Sequence, residues 1–129
     1  MLEHDVLKLI KQADTAISDE DFDALMDFYA DDAVLVVQPG QIARGKVQIR
    51  KAFEAIAKHF GNTLSVTQGK ARVIEGEDTA LVIMETLLHI EEKEAPIVRR
   101  ATYVFARDAA NGWVCTVDNS CGTDLLDEV

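Results

Sequence analysis

The fold of this 129-residue chain is decided by residues 21–45, which read DFDALMDFYADDAVLVVQPGQIARG. Residues 19–30 carry apolar side chains at helical spacing, and they predict a helix with one buried face. The continuous apolar run at residues 33–37 predicts a short buried strand, which the Pro-Gly pair at 39–40 ends. A helix that leads directly into a buried strand must pack against the sheet that this strand joins. The apolar residues of the helix are Phe22, Leu25, Met26 and Tyr29.

Two further helices and a series of strands surround this stretch. Apolar residues at helical spacing predict helices over residues 4–18 and 45–60. From Thr63 onward the period changes to two, which indicates β-strands joined by short loops and therefore antiparallel neighbours. The sequence thus predicts an α+β protein with three N-terminal helices ahead of a mainly antiparallel sheet. The predicted strands cover residues 63–75, 79–91, 95–107 and 113–121.

The charge balance of the chain excludes several classes of partner. With 23 acidic and 13 basic residues, the formal net charge is −10, which repels nucleic acid and anionic membrane surfaces. No apolar run approaches the roughly 18 residues that a membrane helix needs, and no signal peptide is visible. Cys115 and Cys121 fall in one predicted strand, about 20 Å apart if it is straight, which is too far for a disulfide. These features predict a single domain over residues 1–129, located in the cytoplasm, that binds neither nucleic acid nor membranes.

Both faces of the central strands are apolar, although three helices can cover only one of them. The uncovered face therefore needs a second partner, and a copy of the same face across a two-fold axis would supply it. We expect a homodimer. The residues that alternate toward one face are Ala80, Val82, Met84, Leu88, Ile97, Ala101, Tyr103 and Phe105, and those toward the other include Leu81, Ile83, Leu87, Val98 and Val104.

Two segments resemble one superfamily. Residues 21–53, DFDALMDFYADDAVLVVQPGQIARGKVQIRKAF, are similar to the helix–strand–helix region of SnoaL-like and ketosteroid-isomerase-like proteins, and NGWVCTVDNS at residues 111–120 resembles their last strand. These proteins belong to the nuclear transport factor 2-like, or cystatin-like, superfamily. The resemblance implies that the three helices pack on a strongly curved, mainly antiparallel mixed sheet that forms a cone. It says less about function, because this fold hosts isomerases, cyclases, hydrolases, dehydratases and non-catalytic subunits.

The resemblance also implies a ligand cavity inside the cone, lined largely by apolar side chains. Met84 lies on the apolar stripe of its strand, and we add it to the wall positions that the resemblance gives. The resemblance places the following residues in the wall: Ala13, Ile17, Tyr29, Val37, Phe53, Arg99, Ala101, Tyr103, Val117, Asn119 and Cys121.

Ketosteroid isomerisation is not expected, because the residues that the resemblance assigns to it are replaced. Val37 occupies the position of the aspartate base and cannot take a proton. Ala13 and Phe53 replace two tyrosines of the family's hydrogen-bonded set, whereas Tyr29 is retained. Tyr103 stands where the second aspartate is expected, and its hydroxyl can still donate one hydrogen bond. A general base alone is worth about 10²–10⁴ in rate, so its loss is hard to compensate.

Tyr103 and Asp14 are the remaining candidates for catalysis. Arg99 alternates inward and could orient a ligand, or it could pair with an acidic side chain near the end of the sheet. Asp118 lies in the strand where SnoaL-like cyclases place an acid, but strict alternation with Val117 turns it to the opposite face. A β-bulge would reverse that orientation, so its facing stays open.

The sequence predicts no metal site and no cofactor, because the histidines at positions 4, 59 and 89 lack ligand spacing. The predicted function is binding of a small apolar organic ligand, chiefly oriented by Tyr103, Asn119 and Arg99. If the protein is an enzyme, a cofactor-independent isomerase, cyclase or lyase is favoured. The alternative is a non-catalytic dimeric association or sensor module.

Overall fold

The computed structural model describes residues 4–91, 94–109 and 112–127; the loop positions expected at residues 92–93 and 110–111 lie outside them. Within these described ranges, three α-helices and six strands follow one another, and a 3₁₀ helix, Gly122–Asp127, comes last. The elements are α1 (Asp5–Asp19), α2 (Phe22–Met26), β1 (Tyr29–Gln38), β2 (Gln41–Arg44), α3 (Gly45–His59), β3 (Ser65–Glu75), β4 (Thr79–His89), β5 (Ile97–Asp108) and β6 (Gly112–Asn119).

The strands form one open sheet in the order β2-β1-β6-β5-β4-β3. Every neighbouring pair is antiparallel except β1 and β6, which run parallel, so the sheet is mixed. The predicted α+β class, with N-terminal helices packed on a mainly antiparallel mixed sheet, is confirmed. Among the described residues, no helix is long and apolar enough to cross a membrane.

The helix predicted over residues 19–30 is wrong in its second half. Helix α2 ends at Met26, and Tyr29 already begins strand β1. The reason is a long-range pairing: the backbone N–H of Cys115 donates to the carbonyl of Phe28 at 3.0 Å, and Tyr29 pairs with Cys115 in the parallel ladder. These contacts with β6 override a helical spacing that is local to the sequence.

Strand β2 is not predicted from the sequence, in which the Pro-Gly pair at 39–40 ends the short strand and the next helix begins at residue 45. In the structure Pro39 and Gly40 form the turn of a hairpin, in which Val36 of β1 pairs with Ile42 of β2. Gly40 has a φ of +79°, a conformation that glycine adopts without strain. The hairpin extends the sheet by one edge strand next to α3.

A β-bulge in β6 reverses the facing predicted for its second half. Phe105 pairs with Cys115 whereas the preceding Val104 pairs with Val117, so Thr116 is an extra residue in the ladder. After the bulge Asp118 points inward and is only 7% exposed, while Val117 lies on the outer face and is 36% exposed. The predicted inward facing of Val117 is therefore wrong.

Helices α1 and α3 cover the inner face of the sheet, and the core lies between them. Buried side chains from α1, α3 and the inner face of the sheet meet there, among them Val6, Ile10, Ile49, Phe53, Val82, Met84 and Phe105. The outer face has no covering element among the described residues. An apolar row crosses it through Ile74, Leu81, Val104 and Val117, which are successive partners in the ladders.

Candidate functional site

A cavity of about 820 Å³ opens between the helices and the inner face of the sheet. Its wall is largely apolar, and its polar groups fall into two sets, one buried at the floor and one exposed at the mouth. Such a concave, mainly apolar space with a few polar groups is typical of small-molecule sites. The apolar wall includes Ile17, Leu35, Val37, Ala52, Phe53, Ile56, Phe60, Leu64, Val66, Leu88 and Ala101.

Asp14 is the first buried carboxyl group at the floor. It lies on α1 and is 7% exposed, and its Oδ2 accepts a 2.5 Å hydrogen bond from Nε2 of Gln68 on β3. Burial raises the pKa of Asp14 from 3.8 to about 7; the Gln68 hydrogen bond opposes the rise, and the charge of Asp118 adds to it. Asp14 therefore titrates near neutral pH, where a carboxyl group can both give and take a proton.

Asp118 is the second buried carboxyl group. It is held by Tyr29, whose hydroxyl donates a 2.7 Å hydrogen bond to its Oδ2. Burial raises the pKa of Asp118 to about 6, and the Tyr29 hydrogen bond opposes that rise. The bulge at Thr116 is what places this side chain in the cavity wall.

Tyr103 on β5 lies near both carboxyl groups. Burial raises the pKa of Tyr103 well above 10, and the charges of Asp118 and Asp14 raise it further, so the phenol stays protonated and can donate a hydrogen bond. The neighbouring Thr86 hydroxyl lowers that pKa slightly. Thr86 Oγ1 is nevertheless fully buried and reaches no partner at regular hydrogen-bond geometry among the described residues. The floor thus contains an unsatisfied hydroxyl beside two acids and a phenol.

The cavity brings seven of the residues predicted from sequence together. Asp14 and Tyr103, the two catalytic candidates, line it along with Arg99, which is exposed at its mouth. The remaining four are Ile17, Val37, Phe53 and Ala101.

Six predicted wall residues lie elsewhere. Ala13 and Met84 are packed in the core, and Tyr29 sits behind Asp118. Val117 is on the outer face, as the bulge requires. Asn119 is the last residue of β6 and Cys121 lies in the turn after it. Asn119 Nδ2 donates to the Gly122 carbonyl, and Asn119 Oδ1 accepts from the Cys121 N–H.

Gln68 and the orientation of Asp118 are the features of the floor that sequence reasoning missed. Val66 lines the cavity, and Gln68, two positions later on β3, donates a hydrogen bond to Asp14. A polar residue that interrupts an inward apolar stripe is a sequence signal that could have identified Gln68. The facing of Asp118 had no comparable signal. The run from Trp113 to Cys115 is buried at every position, so periodicity does not show where the bulge falls.

Comparison with known proteins identifies the family. Residues 6–116 match the SnoaL-like domain. The chain belongs to the SnoaL-like family. No curated protein matches the sequence of this SnoaL-like protein at a significant level.

Solved structures share the fold of this SnoaL-like protein at low sequence identity. A cystatin-like protein of unknown function from Nostoc punctiforme is 17% identical, with a TM-score of 0.76 over 88% of this chain and 85% of that chain. A candidate ketosteroid isomerase from Shewanella frigidimarina is 14% identical, with a TM-score of 0.76 over 91% and 94%. A candidate association domain of calcium/calmodulin-dependent protein kinase type II from Thiobacillus denitrificans is 20% identical, with a TM-score of 0.72 over 86% and 89%. The superfamily resemblance is thus confirmed, and the fold alone does not choose between enzyme and association domain.

Within the described part of the chain, no three histidine, cysteine, aspartate or glutamate side chains form a group that could hold a metal ion. Two acids of different pKa and one phenol can transfer protons and stabilise a developing negative charge on oxygen.

Proposed function

We propose that this SnoaL-like protein binds a small, mainly apolar organic molecule and catalyses a proton-transfer reaction on it without a cofactor. The reaction class is that of an isomerase, cyclase or lyase. The observation that carries the proposal is the juxtaposition of Asp14, Asp118 and Tyr103 at the floor of an apolar cavity. A protein that served only as a scaffold would be expected to fill this space with side chains.

Each polar group at the floor has a distinct role in this proposal. Asp118, with a pKa of about 6 and a hydrogen bond from Tyr29, is the general base that takes a proton from carbon. Asp14, with a pKa of about 7, is the acid that returns a proton. Tyr103 donates a hydrogen bond to the oxygen on which negative charge develops. Two titratable groups whose environments set different pKa values are a common basis for such an acid–base pair.

The test uses 2-tetralone, an apolar ketone with acidic protons next to its carbonyl group. Proton NMR in D₂O would follow the exchange of these protons for deuterium. We expect the protein to accelerate exchange and Asp118→Asn to reduce the acceleration by about 10²–10⁴-fold, the usual contribution of a general base. Asp14→Asn should also reduce it.

Asp32→Asn is the control for this experiment, because Asp32 is an exposed carboxyl group on β1 outside the cavity wall. It should leave exchange unchanged. Equal rates for Asp118→Asn, Asp14→Asn and the unaltered protein would contradict the proposed chemistry.

We propose further that the chain forms a homodimer through the outer face of its sheet. On this face Ile74 is 59% exposed and Val98 is 56% exposed, which is costly for β-branched side chains in water.

We also propose a single domain in a reducing compartment such as the cytoplasm. The shared core supports the first point, and the free thiols of Cys115 and Cys121 support the second.

The exposed outer face also favours a second candidate function, a non-catalytic association or sensor module. In that case dimerisation would persist while 2-tetralone exchange would be no faster than in buffer. The two measurements together distinguish the candidates.

A further inference from the structure

Two basic side chains mark the mouth of the cavity. Lys51 on α3 and Arg99 on β5 both line the cavity and are both exposed, so they lie where the cavity meets solvent. Neither forms an ion pair with a carboxylate of the described residues. The imidazole of His59, at the end of α3, lies on the same rim.

The absence of carboxylate partners at this rim is notable because acidic side chains are abundant. The chain has 23 acidic residues and 13 basic ones, and several basic side chains elsewhere do have partners. Lys46 lies 3.4 Å from Asp31, and Arg107 lies 3.4 Å from Glu75. Arg100, the neighbour of Arg99 on β5, lies 3.9 Å from Glu85 on the outer face.

Among the described lining residues, the only carboxyl groups are Asp14 and Asp118, and both are buried at the floor. The cavity therefore carries positive charge where it meets solvent, whereas its acids are buried. An anionic group placed at the floor would be repelled by Asp118, whereas the same group at the mouth would meet Lys51 and Arg99. The apolar wall between the two ends suits a hydrocarbon body.

We propose that the ligand of this cavity is an organic acid whose carboxylate lies at the mouth, between Lys51 and Arg99, and whose apolar body extends to the floor. This inference rests on the proposed function and adds the substrate class. It also orients the ligand, since the carbon that reacts must be remote from the carboxylate. Arg99 is suited to this role because its planar guanidinium matches carboxylate geometry.

The test compares two probes of similar shape, 2-naphthoate, which is anionic, and 2-naphthamide, which is neutral. Titration calorimetry would measure their affinities, and methyl shifts of Ile17 and Ile56, which line the wall, would locate binding in the cavity. We expect the naphthoate to bind more tightly than the amide, although the net charge of −10 repels an anion. Raising the salt concentration should weaken naphthoate binding and leave naphthamide binding unchanged.

The variants Lys51→Gln and Arg99→Gln should each weaken naphthoate binding about three- to fivefold, and the double variant about tenfold or more, because exposed charges interact through a screened medium. Lys58→Gln on the same helix and Arg100→Gln on the same strand are the matched controls, since neither residue lines the cavity. Both controls should bind naphthoate as the unaltered protein does. None of these variants should change the affinity for naphthamide.

The outcomes separate this inference from the proposed function. Equal binding of naphthoate and naphthamide in the cavity, or equal losses in Arg99→Gln and Arg100→Gln, would overturn the organic-acid inference and leave the apolar cavity in place as a binding site. If neither probe shifts the methyl groups of the wall, both the inference and the proposed small-molecule site are overturned.

Discussion

The hydroxyl of Tyr29 on β1 donates a 2.7 Å hydrogen bond to Asp118 on β6, 89 residues further along the chain. Both side chains are almost fully buried. The bond depends on the parallel pairing of β1 with β6 and on the bulge at Thr116. It makes Tyr29 a positioning residue for Asp118, because Tyr29 itself does not line the cavity.

We predict that Tyr29→Phe raises the pKa of Asp118 above about 6, because the ionised carboxylate loses its only side-chain donor among the described residues. A hydrogen bond to a charged group is worth about 1.5–3 kcal/mol, so the free energy of unfolding should also fall by about that amount near neutral pH. Carboxyl ¹³C NMR titration measures the first effect and urea denaturation the second. Tyr103→Phe is the control, since it leaves the Tyr29 bond in place; an unchanged Asp118 pKa in Tyr29→Phe would contradict the assignment.

Stability should decrease as pH rises from about 4 to about 7. Asp14 and Asp118 have pKa values of about 7 and about 6 in the folded protein, against 3.8 as the ordinary value. Over this range the folded state binds more protons than the unfolded chain, so the free energy of unfolding falls as pH increases, by a few kcal/mol. Thermal melts at successive pH values measure the slope.

The pH slope should flatten in the Asp14→Asn and Asp118→Asn variants, because asparagine stays neutral in both states. Asp32→Asn, with an exposed carboxyl group, should retain the slope of the unaltered protein. A slope that survives in the double variant Asp14→Asn with Asp118→Asn would show that other groups cause it.

Gly122→Ala should destabilise the fold by more than about 2 kcal/mol. A Cβ at this position would lie 2.0 Å from the carbonyl oxygen of Arg100 on β5, and Gly122 has a φ of +55°. Gly40→Ala is the matched control: its φ is +79°, but a Cβ there meets no atom within 4 Å. It should cost only the backbone strain of about 1–2 kcal/mol. Urea denaturation would measure the free energy of unfolding of both variants. Similar decreases in the two variants would mean that the close approach of Gly122 to β5 does not add to the destabilisation by a Cβ.

The proposed dimer should dissociate in Val98→Lys, because a charged side chain buried in the interface is left without a partner. Val98 is exposed on the outer face and does not line the cavity. Sedimentation velocity would measure the change from dimer to monomer. Val47→Lys, on the exposed side of α3, is the control and should remain dimeric. A sedimentation coefficient of a monomer for the unaltered protein would refute the dimer.

The local periodicity of apolar residues is sufficient to predict most of the fold. Helices α1 and α3 and strands β3, β4 and β5 lie close to the residues predicted for them, because each carries a helical or alternating apolar pattern over many residues. The same patterns placed Tyr103 and Ala101 on the inner face. Asp14 and Arg99 were also identified, since each is a polar residue next to an apolar stripe.

The sequence by itself therefore determined the α+β class and the order of the main elements, because burial periodicity is a local property. Only the tertiary structure decided where α2 ends, that β2 exists, and that Asp118 faces inward toward the cavity with Tyr29 behind it. Each of these depends on hydrogen bonds between residues far apart in the chain, and a single extra residue in a ladder reverses every side chain after it. The acid pair at the floor is a product of that long-range pairing.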